Sequence, residues 1–185
     1  MGKFILITGG ARSGKSSLAE EIAGGYGNNV LYIATAVGFD EEMKDRIRRH
    51  RQKRPASWYT MEAYRDFGSM LPPLLEGRDA VLLDCVTNMV SNIMVEKAMD
   101  WENLSLEEMD DVEKEIEGQL ESLLSIVRGS DVPFIFVTNE LGMGVVPVSV
   151  LGRAVRDFAG RANQRLARAA DEVYLCVSGI PVRIK

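Results

Sequence analysis

An α/β fold, a mainly parallel sheet with helices on both faces and a C-terminal edge hairpin, is what this sequence predicts, on three observations. Continuous apolar runs recur along the chain as KFILIT, NVLYIAT, DAVLLDC and PFIFVTNE, the composition of strands buried on both faces. Segments with apolar residues at three- and four-residue steps lie between them, which is the helical period. A glycine-rich loop, GGARSGKS at 9–16, joins the first apolar run to the first helical segment.

Taken in order, KFILIT (3–8) is a strand, and the helix that follows the loop carries Leu18, Ile22 and Ala23 on its inner side. NVLYIAT (29–35) is a second strand. Asp40 can cap a helix through EEMKDRIRRHRQK, which must stop before Pro55 because the residue preceding proline is pushed out of the helical region. SWYT is a short connection, MEAYRDF reads as a helix, and a Pro-Pro and Gly linker leads to the strand DAVLLDC (79–85). TNMVSNIMVEKA is helical. Ser105 and Glu108 form a capping box at the start of a long acidic helix, whose apolar side runs through Leu106, Met109, Val112, Ile116, Leu120, Leu123, Leu124 and Val127; its acidic side reads as solvated. PFIFVTNE (133–140) is a strand and LGMGVVP a loop. A further helix carries Leu151, Val155, Phe158, Ala162 and Leu166, and EVYLCVSGIPVRIK closes as a strand, a turn and a short strand. No repeat or linker divides the chain, so one nucleotide-binding domain over 1–185 is expected.

The chain has 185 residues, 46% hydrophobic and 26% charged, enough to bury a core in one domain. FILI and AVLL are far shorter than the roughly 20 residues needed to span a bilayer, and the start lacks a signal-peptide pattern. A cytoplasmic protein without a membrane span is expected. Cys85 and Cys176 each lie within an apolar run and read as reduced core residues.

The net charge is -5, yet residues 44–54 hold seven Lys or Arg against one Asp. A second group of cations, Arg153, Arg156, Arg161, Arg165 and Arg168, lies on the late helix. Such local segregation in an acidic protein argues for a site that collects a compact anion and against a general nucleic-acid binder.

GGARSGKS fits G-x-x-x-x-G-K-[ST], with Gly9, Gly14, Lys15 and Ser16 in the required places, and the strand before and helix after it supply the context a P-loop needs. Its glycines let backbone N–H groups turn toward phosphate oxygens, and the following helix adds the positive end of its dipole. Lys15 reaches the terminal phosphates and Ser16 offers a hydroxyl to Mg2+. A nucleoside triphosphate also needs a metal-side acid at the end of a neighbouring strand. Asp84 is the better-placed candidate; Glu140, after FIFVTN, is the alternative and reads as a substrate-cleft residue.

A P-loop leaves the reaction open. The single histidine, His50, lies among Arg48, Arg49 and Arg51. A basic run with one imidazole is most often a solvated helix face. The functional reading is a nucleophile toward phosphorus, kept neutral by like charges while the arginines bind the oxygens under attack. Its place near a helix C-terminus works the other way, favouring protonation.

Assembled in order, ILITGGARSGKS, LYIAT, DRIRRHRQKRPASW, LLDCVTNMV, VTNELGMGVVP, RDFAGRANQRLA and VSGIPVRIK make the whole chain resemble the bifunctional adenosylcobinamide kinase and adenosylcobinamide-phosphate guanylyltransferase family of cobalamin assembly. The resemblance implies a RecA-like P-loop fold, a homotrimer in which a neighbouring subunit can complete each site, and two reactions. A nucleoside triphosphate, ATP or GTP, phosphorylates the aminopropanol hydroxyl of adenosylcobinamide. GTP then guanylylates a histidine, which passes GMP to adenosylcobinamide phosphate to give adenosylcobinamide-GDP.

That histidine falls on His50. The implied nucleotide contacts fall on Gly9, Gly10, Ala11, Arg12, Ser13, Gly14, Lys15 and Ser16, on Ala34, Thr35 and Ala36, on Arg51, Gln52, Lys53 and Arg54, and on Glu62 and Asp84. Ser16 and Asp84 are the implied Mg2+ residues. A carboxylate at Glu62 suits guanine, because it can accept from base N–H groups that adenine lacks. Some relatives carry Glu where this chain has Asp84, which keeps the charge and shortens the reach. The rival readings are another small-molecule P-loop kinase, with His50 in a phosphate clamp, and a nucleic-acid-binding ATPase with a basic arm.

Overall fold

A computed structural model describes residues 2–38, 41–97 and 100–185, and their side chains other than those of residues 42, 43, 46, 50 and 53. The capping expected at Asp40 lies outside the described residues.

The apolar runs become strands β1 (Phe4–Gly9), β2 (Val30–Ala34), β4 (Ala80–Asp84) and β5 (Phe134–Val137). Strand β3 (Tyr59–Glu62) forms one edge, and β6 (Glu172–Val177) with β7 (Ile180–Arg183) forms the hairpin at the other. All seven join one sheet in the order β3-β2-β4-β5-β1-β6-β7. Every pairing is parallel except β6 with β7. The sheet's interior strands therefore end along one edge, where the loops that follow them collect.

Side chains alternate between two cores, as the two-residue strand period requires. On one face Ile5, Ile7, Val30, Tyr32, Leu82, Ile135 and Val137 meet Ala19 and Ala23 of helix α1 (Lys15–Tyr26). The opposite face packs Phe4, Leu6, Leu31, Ile33, Leu83, Phe134 and Phe136 under four helices. These are α3 (Phe67–Met70), α4 (Val86–Glu96), α5 (Leu106–Gly129) and α6 (Val150–Ala169). The capping box forms as expected: Ser105 Oγ accepts from Glu108 N at 3.2 Å, and Glu108 Oε2 accepts from Ser105 N at 2.9 Å. Ser149 caps α6 in the same way, accepting from Gly152 N at 3.2 Å. Helix α2 (Glu41–Lys53) differs from the others, since none of its described side chains is buried.

Two expectations are corrected. MEAYRDF does not form a helix: its first two residues, Met61 and Glu62, belong to β3, and α3 starts only at Phe67. Parallel pairing with β2, Leu31 opposite Tyr59 through Ala34 opposite Glu62, captures these residues at the sheet edge and overrides their local propensity. The arginines of α6 do not assemble an anion site. Arg161 pairs with Glu113, and Arg165 with Glu117 and Glu121, so the acidic side of α5 is matched to α6 rather than merely solvated. Arg156 donates to Gly142 O at 2.9 Å, and Arg153 donates to Pro147 O and Val148 O, which ties down the 141–149 loop.

Candidate functional site

The P-loop needs backbone that most residues resist. Gly9 has φ +149°, and a Cβ there would lie 2.4 Å from Cys176 O; Gly14 has φ +94°. Gly14 is also the N-cap of α1 and supplies no side-chain cap, so the first N–H groups of the helix remain directed at the loop's concavity, an arrangement suited to anions. Lys15 is 8% exposed and donates from Nζ to Gly10 O at 2.6 Å. The loop is also braced from outside, because Gly179 N in the β6–β7 turn donates to Ser13 O at 3.0 Å.

Beside it opens a cavity of about 500 Å3, the size of a nucleotide site. One wall is the loop and helix start, Ala11 through Ser17; the floor is Tyr32 in the middle of β2 with Ala34, Asp84 and Val137 at the strand ends, and Ala36, Cys85, Asn88, Asn139 and Leu141 lie beyond them. The other wall is Ile47 and Arg51 of α2, Arg54 just after it, and Glu62. The cavity thus brings together Ala11, Arg12, Ser13, Gly14, Lys15, Ser16, Ala34, Ala36, Arg51, Arg54, Glu62 and Asp84 from the residues the sequence singled out. The backbone of residue 50 belongs to α2, three positions after Ile47 and one before Arg51; the side chains of His50 and Lys53 lie outside the described residues.

Other expected contacts lie elsewhere. Gly9, Gly10, Gln52 and Glu140 do not line the cavity. Glu140 folds back, accepting from Gly142 N at 2.6 Å. Thr35 is buried, and its hydroxyl donates to Cys85 O and accepts from Cys85 N, both at 2.7 Å. It therefore ties the end of β2 to the end of β4 rather than facing a ligand.

Charges on the two walls are arranged differently. Arg51 pairs with Glu62 at 3.0 Å, both more than half exposed, while Arg48 and Arg49 pair with Asp45. The Arg54 guanidinium lies over the Tyr32 ring, 3.5 Å from its centroid, and the Tyr32 hydroxyl donates to Asp84 Oδ2 at 3.0 Å. Ser13 Oγ and Arg54 Nε are buried without a protein hydrogen-bond partner among the described residues. Both belong to cavity-lining residues, and a phosphate is the kind of acceptor that would satisfy such donors. Cys85 also lines the cavity, but burial pushes its thiol up to about 12, so it is a neutral wall residue and not a nucleophile.

The described residues suit Mg2+ bound through a nucleotide better than Mg2+ in a protein cage. No cluster of three or more His, Cys, Asp or Glu residues exists among the described residues, so an all-protein cage is absent from them. Ser16 and Asp84 on the same cavity fit a Mg2+ ion held mainly by nucleotide phosphates and water, with one or two protein oxygens.

Sequence reasoning missed a polar network that sets the strand ends. Thr138 Oγ1 donates to Asn163 Oδ1 at 2.6 Å and lies 3.2 Å from Thr87 Oγ1. Thr87 Oγ1 accepts from Asn139 N at 2.8 Å, and Asn163 Nδ2 donates to Asn139 O at 2.9 Å. Asn139 is thereby fixed by both α4 and α6. The polar residues closing FIFVTNE were a visible signal for Asn139; nothing local marks Asn163 or Thr87.

A family model described as cobinamide kinase / cobinamide phosphate guanyltransferase matches residues 5–184. The bifunctional adenosylcobalamin biosynthesis protein CobU of Salmonella typhimurium is 46% identical over 184 residues, covering 98% of this chain and 99% of its own. The bifunctional adenosylcobalamin biosynthesis protein CobP of Pseudomonas aeruginosa is 38% identical, covering 97% of this chain and 96% of its own. Among solved structures, a KaiC-like protein from Pyrococcus horikoshii aligns at a TM-score of 0.47 and 14% identity, over 94% of this chain and 71% of that one. Near-complete coverage in both directions, on a chain whose P-loop, Asp84 and arginine-bearing helix meet at one cavity, places it in the cobinamide kinase / cobinamide phosphate guanyltransferase family.

Proposed function

We propose that this chain, as a single nucleotide-binding domain over residues 1–185, phosphorylates adenosylcobinamide and then guanylylates the product through a histidine intermediate. In the first reaction the aminopropanol hydroxyl attacks the terminal phosphorus of ATP or GTP. The bond to the bridging oxygen breaks, the nucleoside diphosphate leaves, and the hydroxyl proton is released. Backbone N–H groups of 11–16 and Lys15 bind the phosphate oxygens and stabilise the charge that spreads over them. Ser16 and Asp84 would hold Mg2+, which when bound neutralises charge on the nucleotide's phosphates.

In the second reaction a neutral ring nitrogen of His50 attacks the α-phosphorus of GTP and pyrophosphate leaves. The phosphate oxygen of adenosylcobinamide phosphate then attacks the same phosphorus, the N–P bond breaks, and adenosylcobinamide-GDP forms with the imidazole regenerated. Arg51 and Arg54 bind the phosphate oxygens in this step, and Glu62 accepts from the guanine N–H groups. The single observation that carries the reading is that Ile47 and Arg51 of α2 share one cavity with the P-loop, which supports a nucleotide bound there lying within reach of the helix that holds residue 50. A homotrimer in the cytoplasm completes the proposal.

The test uses GTP labelled at the α-phosphate. Wild-type protein should acquire a label stable to alkali and lost in acid, as a phosphoramidate is, and unlabelled adenosylcobinamide phosphate should chase it onto the corrinoid. Equal labelling of His50→Ala would sink the histidine mechanism. No labelling of wild type, with phosphorylation of cobinamide intact, would leave only the kinase half.

A further inference from the structure

Tyr32 carries no role in either reaction as described, yet it joins the floor of the site to its α2 wall. It lies on β2, is 2% exposed and forms part of the cavity floor. Its two ends meet groups from different elements. The hydroxyl donates to Asp84 Oδ2 at 3.0 Å, and Asp84 closes β4, the strand beside β2. The ring face receives the guanidinium of Arg54, 3.5 Å from its centroid, directly after the last residue of α2.

Burial alone does not ask for this residue. Phenylalanine would fill an interior strand position without a hydroxyl to satisfy, whereas here the hydroxyl is spent on a carboxylate at the site's edge. A hydrogen bond to one carboxylate oxygen stops the group from turning, so the other oxygen keeps a constant direction. On the opposite side, stacking a guanidinium on an aromatic ring fixes its plane. It does so for the arginine whose Nε is buried without a protein partner among the described residues.

The geometry points to Tyr32 as a positioning residue for both reactions: its hydroxyl aims Asp84 at the metal side of the phosphates, and its ring seats Arg54 and with it the end of α2. This rests on the proposed roles of Asp84 and Arg54. The prediction it makes is that one side chain couples metal-assisted nucleotide binding to the order of the helix that holds His50.

Two substitutions separate the two contacts. Tyr32→Phe removes only the hydroxyl; Tyr32→Leu removes the ring as well. Calorimetry with a non-hydrolysable ATP analogue, with and without Mg2+, should show that Tyr32→Phe loses about fivefold of the affinity that Mg2+ adds. Its Mg2+-free affinity and its melting temperature should stay close to wild type. Amide hydrogen exchange over 41–54 should be unchanged in Tyr32→Phe and faster in Tyr32→Leu. Arg54→Ala, which keeps the ring, should speed the same amides and guards against a Leu variant that folds poorly.

An unchanged Mg2+ contribution in Tyr32→Phe, or an equal loss with and without Mg2+, would overturn the hydroxyl's role and mark a merely structural tyrosine. Wild-type exchange rates in both Tyr32→Leu and Arg54→Ala would overturn the ring's role. These readouts need no corrinoid. A wild-type protein that fails to act on adenosylcobinamide would refute the proposed function, while the binding and exchange results would still decide Tyr32.

Discussion

The two walls of the cavity are built on opposite plans. The P-loop wall is set into the middle of the sheet: β1 is flanked by β5 and β6, Gly9 is packed against Cys176, and Lys15 is nearly buried. The α2 wall has no buried side chain among those described. Its ion pairs, with Glu41, Asp45 and Glu62, lie at the surface, and such pairs contribute little. Arg54 on Tyr32 is its one described stacking contact with the sheet. Segments with few buried contacts open at low free-energy cost. The difference fits a division of labour in which one wall holds phosphates still and the other carries a group that has to reach them.

The contrast can be broken at the fixed wall first. Lys15→Ala should lower the kinase rate by about 10²–10³-fold, the scale for losing one preorganised charge donor, and should lower self-guanylylation as well. Both would be followed by steady-state phosphorylation and by α-label incorporation. Loss of one activity alone would mean that the two reactions do not share this wall.

Glu62→Gln tests the open wall. A lost charged hydrogen bond to guanine is worth about 10–100-fold in GTP over ATP discrimination in the labelling step. The same change should leave the melting temperature where it was, because the Arg51 pair it removes is exposed and such pairs contribute little. Gly9→Ala should do the reverse, costing stability. With φ at +149° and a carbonyl 2.4 Å from the new Cβ, a loss of about 1–3 kcal/mol is expected. That corresponds to roughly 2–12 °C in Tm for a chain of this length.

The smallest effect is one of pH. The hydrogen bond from Arg48 holds the Asp45 carboxyl below its ordinary value of 3.8. The contribution of this pair to α2 is therefore complete above 3.8 and lost only as pH falls through the lowered pKa. In His50→Ala, which removes the imidazole from the segment, amide NMR signals of 41–53 should be constant from pH 8 to 5 and should move only in more acid solution. A transition near neutrality in His50→Ala would show that something other than Asp45 controls the helix.

Much of the fixed wall was legible in the sequence, because its signals are local. The apolar runs of β1, β2, β4 and β5 read as buried strands, and GGARSGKS carries its own geometry. The capping box at Ser105 is equally local, and it forms as read. What was not legible depends on partners distant in sequence. YTME buries only Met61, too little alternation to announce an edge strand, and becomes β3 because β2 offers it a ladder. The arginines of α6 look like an anion site until the acids of α5 lie against them. Tyr32 is one apolar-run residue among several, and only the fold brings Asp84 to its hydroxyl and Arg54 to its ring.

The brace from Gly179 N to Ser13 O ties the phosphate loop to a turn formed near the other end of the chain, and β1 itself lies between strands that begin at Phe134 and Glu172. A ribosome makes the chain in one direction, so β1 emerges long before either of its neighbours exists. Early segments cannot bind nucleotide in their final geometry, since the cradle is closed by residues translated late. Incomplete chains released during synthesis should therefore be silent toward GTP rather than partly active, and occupation of the site would report that translation had run past the hairpin.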